Sequence, residues 1–222
     1  MRVLIAIHGA HSQPERMQAQ RETWLKDLKG ADYRYFLGLV DDLTEWDSTD
    51  VVYINSPDGP VWQGPHRTWV LNRKTEALVR YALTRGYDYV FKCDDDTWVH
   101  VDRLLDSGFE EHDYAGSMDR HYDFALGRSY EWAQGGAGYW LSRRAMEVVA
   151  ANGLHRARAE DFAVGQLLAA NGIRPHHDGR YRPAVSESDL EDTTSWLPSP
   201  RNSRLITLHK VSPPWMHRLH ER

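Results

Sequence analysis

The stretch Tyr89-Val90-Phe91-Lys92-Cys93-Asp94-Asp95-Asp96-Thr97-Trp98-Val99 sets three adjacent carboxylates at the end of an apolar, strand-like run. In open α/β sheets ligands bind outside the carboxyl ends of the strands, so these side chains stand where chemistry is done. Carboxylate oxygens are hard ligands for Mg²⁺ or Mn²⁺, and such an ion shares its coordination with substrate phosphates. Three neighbouring negative charges repel one another and oppose folding unless something neutralises them, which a divalent cation does directly. An isolated Asp-Asp-Asp reads as an acidic turn; its place after an apolar strand shifts the reading toward metal-diphosphate chemistry. A second acidic pair, Glu160-Asp161, opens a helical pattern, where spacing alone makes it a cap that complements the helix dipole. Gly135, Gly136 and Gly138 suit either a plain turn or a close approach of backbone to a ligand.

The elements that must carry these residues are legible as an alternation of short β-rich runs and longer helical patterns, which argues for an open, mostly parallel sheet flanked by helices. Strands are predicted at 2–7, 33–39, 51–54 and 89–93. Helices are predicted at 14–28, with Pro14 in its first turn, and at 70–85, where Leu71, Thr75, Leu78, Val79 and Ala82 recur at helical spacing before Gly86. Two more follow, one N-capped by Ser142 and ending at Asn152-Gly153, the other spanning 161–170. The composition of 178–204 is that of a mobile loop, after which 205–208 returns to a strand-like run.

The chain has 222 residues, enough for one large α/β domain, and neither a repeat nor a linker divides it. Its net charge is −5, with acids and bases mixed, so it offers no basic field for a nucleic acid. Cys93 is the single cysteine, which forbids an intrachain disulfide and a multi-thiolate metal site. No apolar run approaches the roughly 20 residues that cross a bilayer. The short apolar start lacks the pattern of a signal peptide, and the expectation is a soluble, cytoplasmic protein.

With the acidic triplet placed, five other segments fall into order around it. They are Arg16-Met17-Gln18-Ala19-Gln20-Arg21-Glu22-Thr23-Trp24, Asn72-Arg73-Lys74-Thr75, Gly135-Gly136-Ala137-Gly138-Tyr139-Trp140-Leu141-Ser142, Glu160-Asp161-Phe162-Ala163-Val164-Gly165 and Leu208-His209-Lys210-Val211-Ser212-Pro213. Together with Lys92-x-Asp94-Asp95-Asp96 they resemble the β-1,3-glycosyltransferases of the Fringe and core-1 galactosyltransferase superfamily (glycosyltransferase family 31). The resemblance implies a single GT-A-like domain with an open mixed sheet and a Rossmann-like nucleotide-sugar-binding half. It implies inverting transfer of a hexose (Gal, GalNAc, GlcNAc or Glc) from a UDP-sugar donor to a hydroxyl of a glycan acceptor, with a β-1,3 linkage and Mn²⁺ or Mg²⁺ as cofactor.

The resemblance also assigns roles. Asp96 is a direct metal ligand and His209 a further one; Asp94 holds the metal or the nucleotide ribose, and Asp95 does either. Asp161 is the general base, with Glu160 second. Arg16, Arg21 and Lys74 are candidates for offsetting diphosphate charge, and Gly136 and Gly138 lie beside donor and acceptor. Trp132 is the preferred acceptor contact among Trp62, Trp132, Trp140, Trp196 and Trp215, because sugar C–H faces pack on indole rings. The chain departs from the animal members in lacking their membrane anchor, stem and disulfides, in carrying Phe162 where Val is usual, and in matching nothing over 178–204.

Two other readings compete. Phosphohydrolases of the haloacid-dehalogenase type place Asp-x-Asp-x-Thr/Val after a strand, but Trp98 stands here in place of Thr or Val, and the strand is not the first. A non-catalytic carbohydrate-binding protein would use the aromatics alone, with no need for metal or acid.

Overall fold

The computed structural model describes residues 1–39, 49–57, 67–125, 127–155, 159–183 and 204–221. In chain order the elements are β1 (Val3–His8), α1 (Pro14–Glu22), β2 (Asp32–Leu39), β3 (Val51–Pro57), α2 (Arg67–Thr84), β4 (Tyr89–Asp94), β5 (Trp98–Val99) and α3 (Val101–Leu105). There follow β6 (Tyr114–Gly116), β7 (Met118–Asp123), β8 (Arg128–Ala133), β9 (Tyr139–Ser142), α4 (Arg143–Asn152) and α5 (Glu160–Ala170). The described chain closes with β10 (His176–His177), β11 (Tyr181–Arg182), β12 (Thr207–Leu208) and α6 (Pro213–His220).

The main sheet has seven strands in the order β10-β6-β9-β4-β1-β2-β3. β1, β2, β3 and β4 run parallel, whereas β9 lies antiparallel between β4 and β6. The sheet is therefore mixed, its parallel half built by the predicted strands. β1 is buried along its whole length. Successive side chains of a strand face opposite ways, so the sheet feeds two cores. Ile5, Ile7, Phe91 and Trp140 pack beneath α1 and α6, with Met17, Trp24, Trp215 and Met216. Leu4, Ala6, Phe36, Val90 and Leu141 pack on the other face against α2, α4 and α5. Trp140 and Trp215 are thus core residues and not acceptor contacts, while Trp62 and Trp196 lie outside the described residues.

The predicted helix 14–28 is in fact two pieces. α1 stops at Glu22, Thr23 turns out of helical geometry with its Oγ1 donating to the Ala19 carbonyl at 2.6 Å, and a 3₁₀ turn covers Trp24–Asp27. Ser142 caps α4 as expected, its Oγ accepting from the Ala145 N–H at 3.3 Å. Of 178–204, residues 178–183, which include β11, and Arg204 are described; 184–203 lies outside the described residues. Among the described residues no helix is long and apolar enough to cross a membrane.

Two registers position the acidic triplet. β1 and β4 pair in parallel from Val3↔Tyr89 to His8↔Asp94, so both chains leave the sheet at the same edge, and the Asp95 N–H donates to the His8 carbonyl at 3.1 Å. Thr97 N–H then closes a turn on the Asp94 carbonyl at 3.1 Å. β5 pairs antiparallel with β12 through Trp98↔Leu208 and Val99↔Thr207, which delivers the following residue, His209, to the triplet. The Val211 N–H fastens that segment to the Asp96 carbonyl at 2.9 Å.

Candidate active site

Asp94, Asp96 and His209 present ligand atoms that all lie within 4.8 Å of one another. His209 Nε2 stands 3.1 Å from Asp96 Oδ1 and 3.7 Å from Asp94 Oδ2, although more than 110 residues separate them in sequence. The other ring nitrogen, Nδ1, is 2.6 Å from the Pro183 carbonyl, which can only accept. The proton therefore belongs on Nδ1, and a neutral ring turns the Nε2 lone pair toward two carboxylates. Only a proton or a cation between them makes that arrangement favourable. Asp96 Oδ1 is also buried without a hydrogen-bond partner among the described residues. An orphaned carboxylate oxygen, a second carboxylate and an imidazole fixed through its far nitrogen form a donor set that fits a divalent cation.

The electrostatics of the protein groups point the same way. Burial alone would raise the Asp94 carboxyl, but Lys92, and after it His209, hold it well below the usual carboxylate range. Burial and then the neighbouring Asp96 push Asp95 up to about 7 against the pull of Arg16. Burial would lower the His209 imidazole, yet Asp96 and Asp94 outweigh it and the net shift is upward. Crowded negative charge is thus met in part by retained protons.

The base candidates separate by burial. Glu160 is 4% exposed and takes hydrogen bonds from Thr75 Oγ1 at 2.6 Å and from the Tyr139 hydroxyl, with Lys92 Nζ at 3.5 Å from its second oxygen. Burial raises its carboxyl, an effect that Lys92 only partly offsets. Enclosed in this way, Glu160 is the more buried of the two carboxylates, with protein partners at both of its oxygens. Asp161 is half-buried. Its Oδ2 accepts from the Gly135 N–H at 3.0 Å and its Oδ1 from the Phe162 N–H at 2.8 Å, so two backbone donors orient the carboxylate.

The remaining candidates divide. Arg16 reaches the triplet, with one guanidinium nitrogen 3.3 Å from Asp95 and 3.4 Å from Asp96. Arg21 does not: it forms a two-point pair with Asp50 at 2.9 and 3.1 Å and lies over the Tyr35 ring. One helical turn further along α1, it bridges to the start of β3 instead. Lys74 is buried and donates to the Gly9 carbonyl at 2.7 Å, just past the end of β1. Trp132 is half-buried, edge-on to Phe162 at 4.9 Å, and its Cβ occupies the space that a side chain at Gly165 would need.

The two glycines have different tasks. Gly138 adopts φ +92°, and a Cβ there would meet the Phe91 ring at 2.2 Å, so its requirement is backbone geometry and packing rather than ligand approach. Gly136 lies directly under His209, where a Cβ would stand 2.0 Å from the ring. A Gly136→Ala variant should therefore displace the imidazole and weaken Mn²⁺ binding by roughly tenfold or more. Calorimetric titration checks this, and an unchanged affinity would remove His209 from the ligand set.

Sequence reasoning missed three supports. Gln20 is fully buried and donates to the carbonyls of Asp94 (3.1 Å) and Thr97 (2.9 Å), holding the triplet's turn onto α1. Thr97 Oγ1 donates to the Gly136 carbonyl at 2.7 Å. His8 is buried at the end of β1, and burial, with Lys92 nearby, pushes its imidazole well below the ordinary range and keeps it neutral. Gln18, on the same helix, is exposed, and nothing in the sequence separates the two amides.

No protein-family model matches the sequence, and no curated protein matches it. Solved structures do share its fold. A glycosyltransferase involved in glycosylation of the major capsid of PBCV-1 superposes with a TM-score of 0.50 at 11% identity, over 100% of both chains. The galactosyltransferase LgtC, solved with donor and acceptor sugar analogs, gives 0.50 at 13% identity over 99% of this chain and 94% of its own. The glycosyltransferase GlyE of Streptococcus pneumoniae TIGR4 gives 0.52 at 12% identity, over 96% of this chain and 56% of GlyE. At such identities the likeness is one of fold: the chain has the GT-A-type α/β architecture.

Proposed function

We propose that the protein is a metal-dependent glycosyltransferase that moves a hexose from a UDP-sugar to a hydroxyl of a glycan acceptor with inversion. The observation that carries this reading is the cluster of Asp94, Asp96 and His209, with its orphaned Asp96 oxygen, at the carboxyl ends of the parallel strands of a GT-A-type sheet. Asp94, Asp96 and His209 would hold Mn²⁺ (or Mg²⁺), which when bound neutralises the charge developing on the leaving diphosphate. The finer assignment, to the Fringe and core-1 type with a β-1,3 linkage, rests on the six ordered segments.

The chain's own residues supply the rest. Arg16 is the cation placed to face a diphosphate beside the triplet. Asp161, held by two backbone N–H groups, takes the proton of the acceptor hydroxyl as that oxygen bonds to sugar C1. The bond from C1 to the diphosphate oxygen breaks, its electron pair leaves with the diphosphate, and one displacement inverts the anomeric centre. Trp132, beside Phe162 at the start of α5, is the acceptor contact nearest Asp161 in this scheme.

Incubation with a panel of UDP-sugars and Mn²⁺ tests the reading. Release of UDP, and UDP binding that disappears with EDTA, are expected. Absence of both sinks it, and release of inorganic phosphate from simple phosphate esters would favour a phosphohydrolase instead.

A further inference from the structure

Lys92 lies on β4 two residues before Asp94, and its side chain is 2% exposed. An ammonium has three N–H donors, and here three acceptors from separate segments surround it: Asp94 Oδ1 at 2.8 Å, the Gly135 carbonyl at 3.2 Å and Glu160 Oε2 at 3.5 Å. Gly135 in turn directs its own N–H onto Asp161 Oδ2 at 3.0 Å, and Glu160 immediately precedes Asp161. One buried cation therefore joins the carboxylate cluster on β4 to both the loop and the helix start that hold Asp161. Stability alone is a weak reason for such a group, since well-packed apolar side chains often serve as well as a buried ion pair.

We propose that Lys92 is a positioning residue that fixes the spacing between the cation-binding carboxylates and the carboxylate that takes the acceptor's proton. The inference rests on the glycosyl-transfer reading. It gives Lys92 no contact with donor or acceptor; its effect passes through Asp94 on one side and through Gly135 and Glu160 on the other.

The test is the double variant Lys92→Met with Glu160→Gln, which removes the two buried charges together and leaves Asp94 to His209 and to Mn²⁺ added at saturation, while the glutamine oxygen still accepts from Thr75 and Tyr139. UDP-binding sites are counted by calorimetric titration in Mn²⁺, and kcat is expressed per competent site, so that loss of folded protein cancels. UDP affinity should stay within about threefold while kcat falls about 100-fold, the cost of misplacing a catalytic group by roughly 1 Å. Glu160→Gln alone, which leaves Lys92 on Asp94 and Gly135, should cost tenfold or less. A double variant within threefold of wild type, or a loss reproduced in full by Glu160→Gln, overturns the role of Lys92.

Should the double variant yield no UDP-binding protein, Lys92→Arg decides. It keeps the positive charge beside Asp94, yet its longer planar head cannot meet the same three acceptors. A kcat about tenfold lower per UDP-binding site, with UDP affinity within about threefold of wild type, supports positioning; a wild-type kcat refutes it. A wild type that releases no UDP from any donor removes the underlying reading, whereas an active wild type beside an equally active variant removes only the inference about Lys92.

Discussion

An Asp96→Ala variant should lose Mn²⁺-dependent UDP binding by at least about 100-fold, because removal of a ligand's outer support alone typically costs 10–100-fold in metal affinity. Asp96 supplies the oxygen that no donor among the described residues satisfies and that stands 3.1 Å from His209 Nε2. Transfer should fall at least as far as binding. The metal-free protein should respond in the opposite sense. Asp96 repels Asp95 and contributes to holding that carboxyl up to about 7, so its removal relieves like-charge crowding and should leave the thermal midpoint in EDTA unchanged or raised. Calorimetry with and without Mn²⁺, beside thermal denaturation in EDTA, separates the two effects. Full Mn²⁺-dependent UDP binding by the variant would show that the cation is held elsewhere, and a lower midpoint in EDTA would make Asp96 a structural residue.

That opposition of sign explains why part of the site is legible in a sequence and part is not. Three consecutive aspartates after an apolar strand conflict with local stability, and such a conflict is visible residue by residue. The strands at 33–39, 51–54 and 89–93 and the Ser142 cap are equally local, set by apolar runs and capping chemistry, and the structure places them within a few residues. The fate of a single cation depends instead on which element happens to face it. Arg16 and Arg21 share one short helix; the first meets the triplet, and the second finds Asp50 across the gap to β3. Nothing in their spacing distinguishes them. Glu160 and Asp161 are likewise neighbours of like chemistry, and only the burial of the first against Thr75, Tyr139 and Lys92 divides their roles. His209 reaches the site through the two-residue pairing of β5 with β12, a contact too short to leave a periodic trace.

An Asp161→Asn variant should keep donor binding and lose transfer, by roughly 10²–10⁴-fold, the range that a positioned general base contributes. Both Asp161 oxygens accept backbone N–H groups, from Gly135 and Phe162. The amide of asparagine can satisfy only one of these, because its nitrogen is itself a donor. Leaving the other N–H unpaired costs about 1–3 kcal/mol if the group stays shielded from water, so a modest drop in thermal midpoint should accompany the loss of activity. Destabilisation of that size leaves most of the protein folded and cannot produce a loss of several hundredfold in kcat measured per UDP-binding site. The informative quantity is therefore the ratio of transfer to Mn²⁺-dependent UDP binding, which should collapse here, whereas in Asp96→Ala both decline together. Near-normal turnover by Asp161→Asn would exclude Asp161 as the base. Glu160, enclosed beneath Gly135 and bonded on both sides, would not inherit the role, and the proton would have to pass to a group outside this acidic pair.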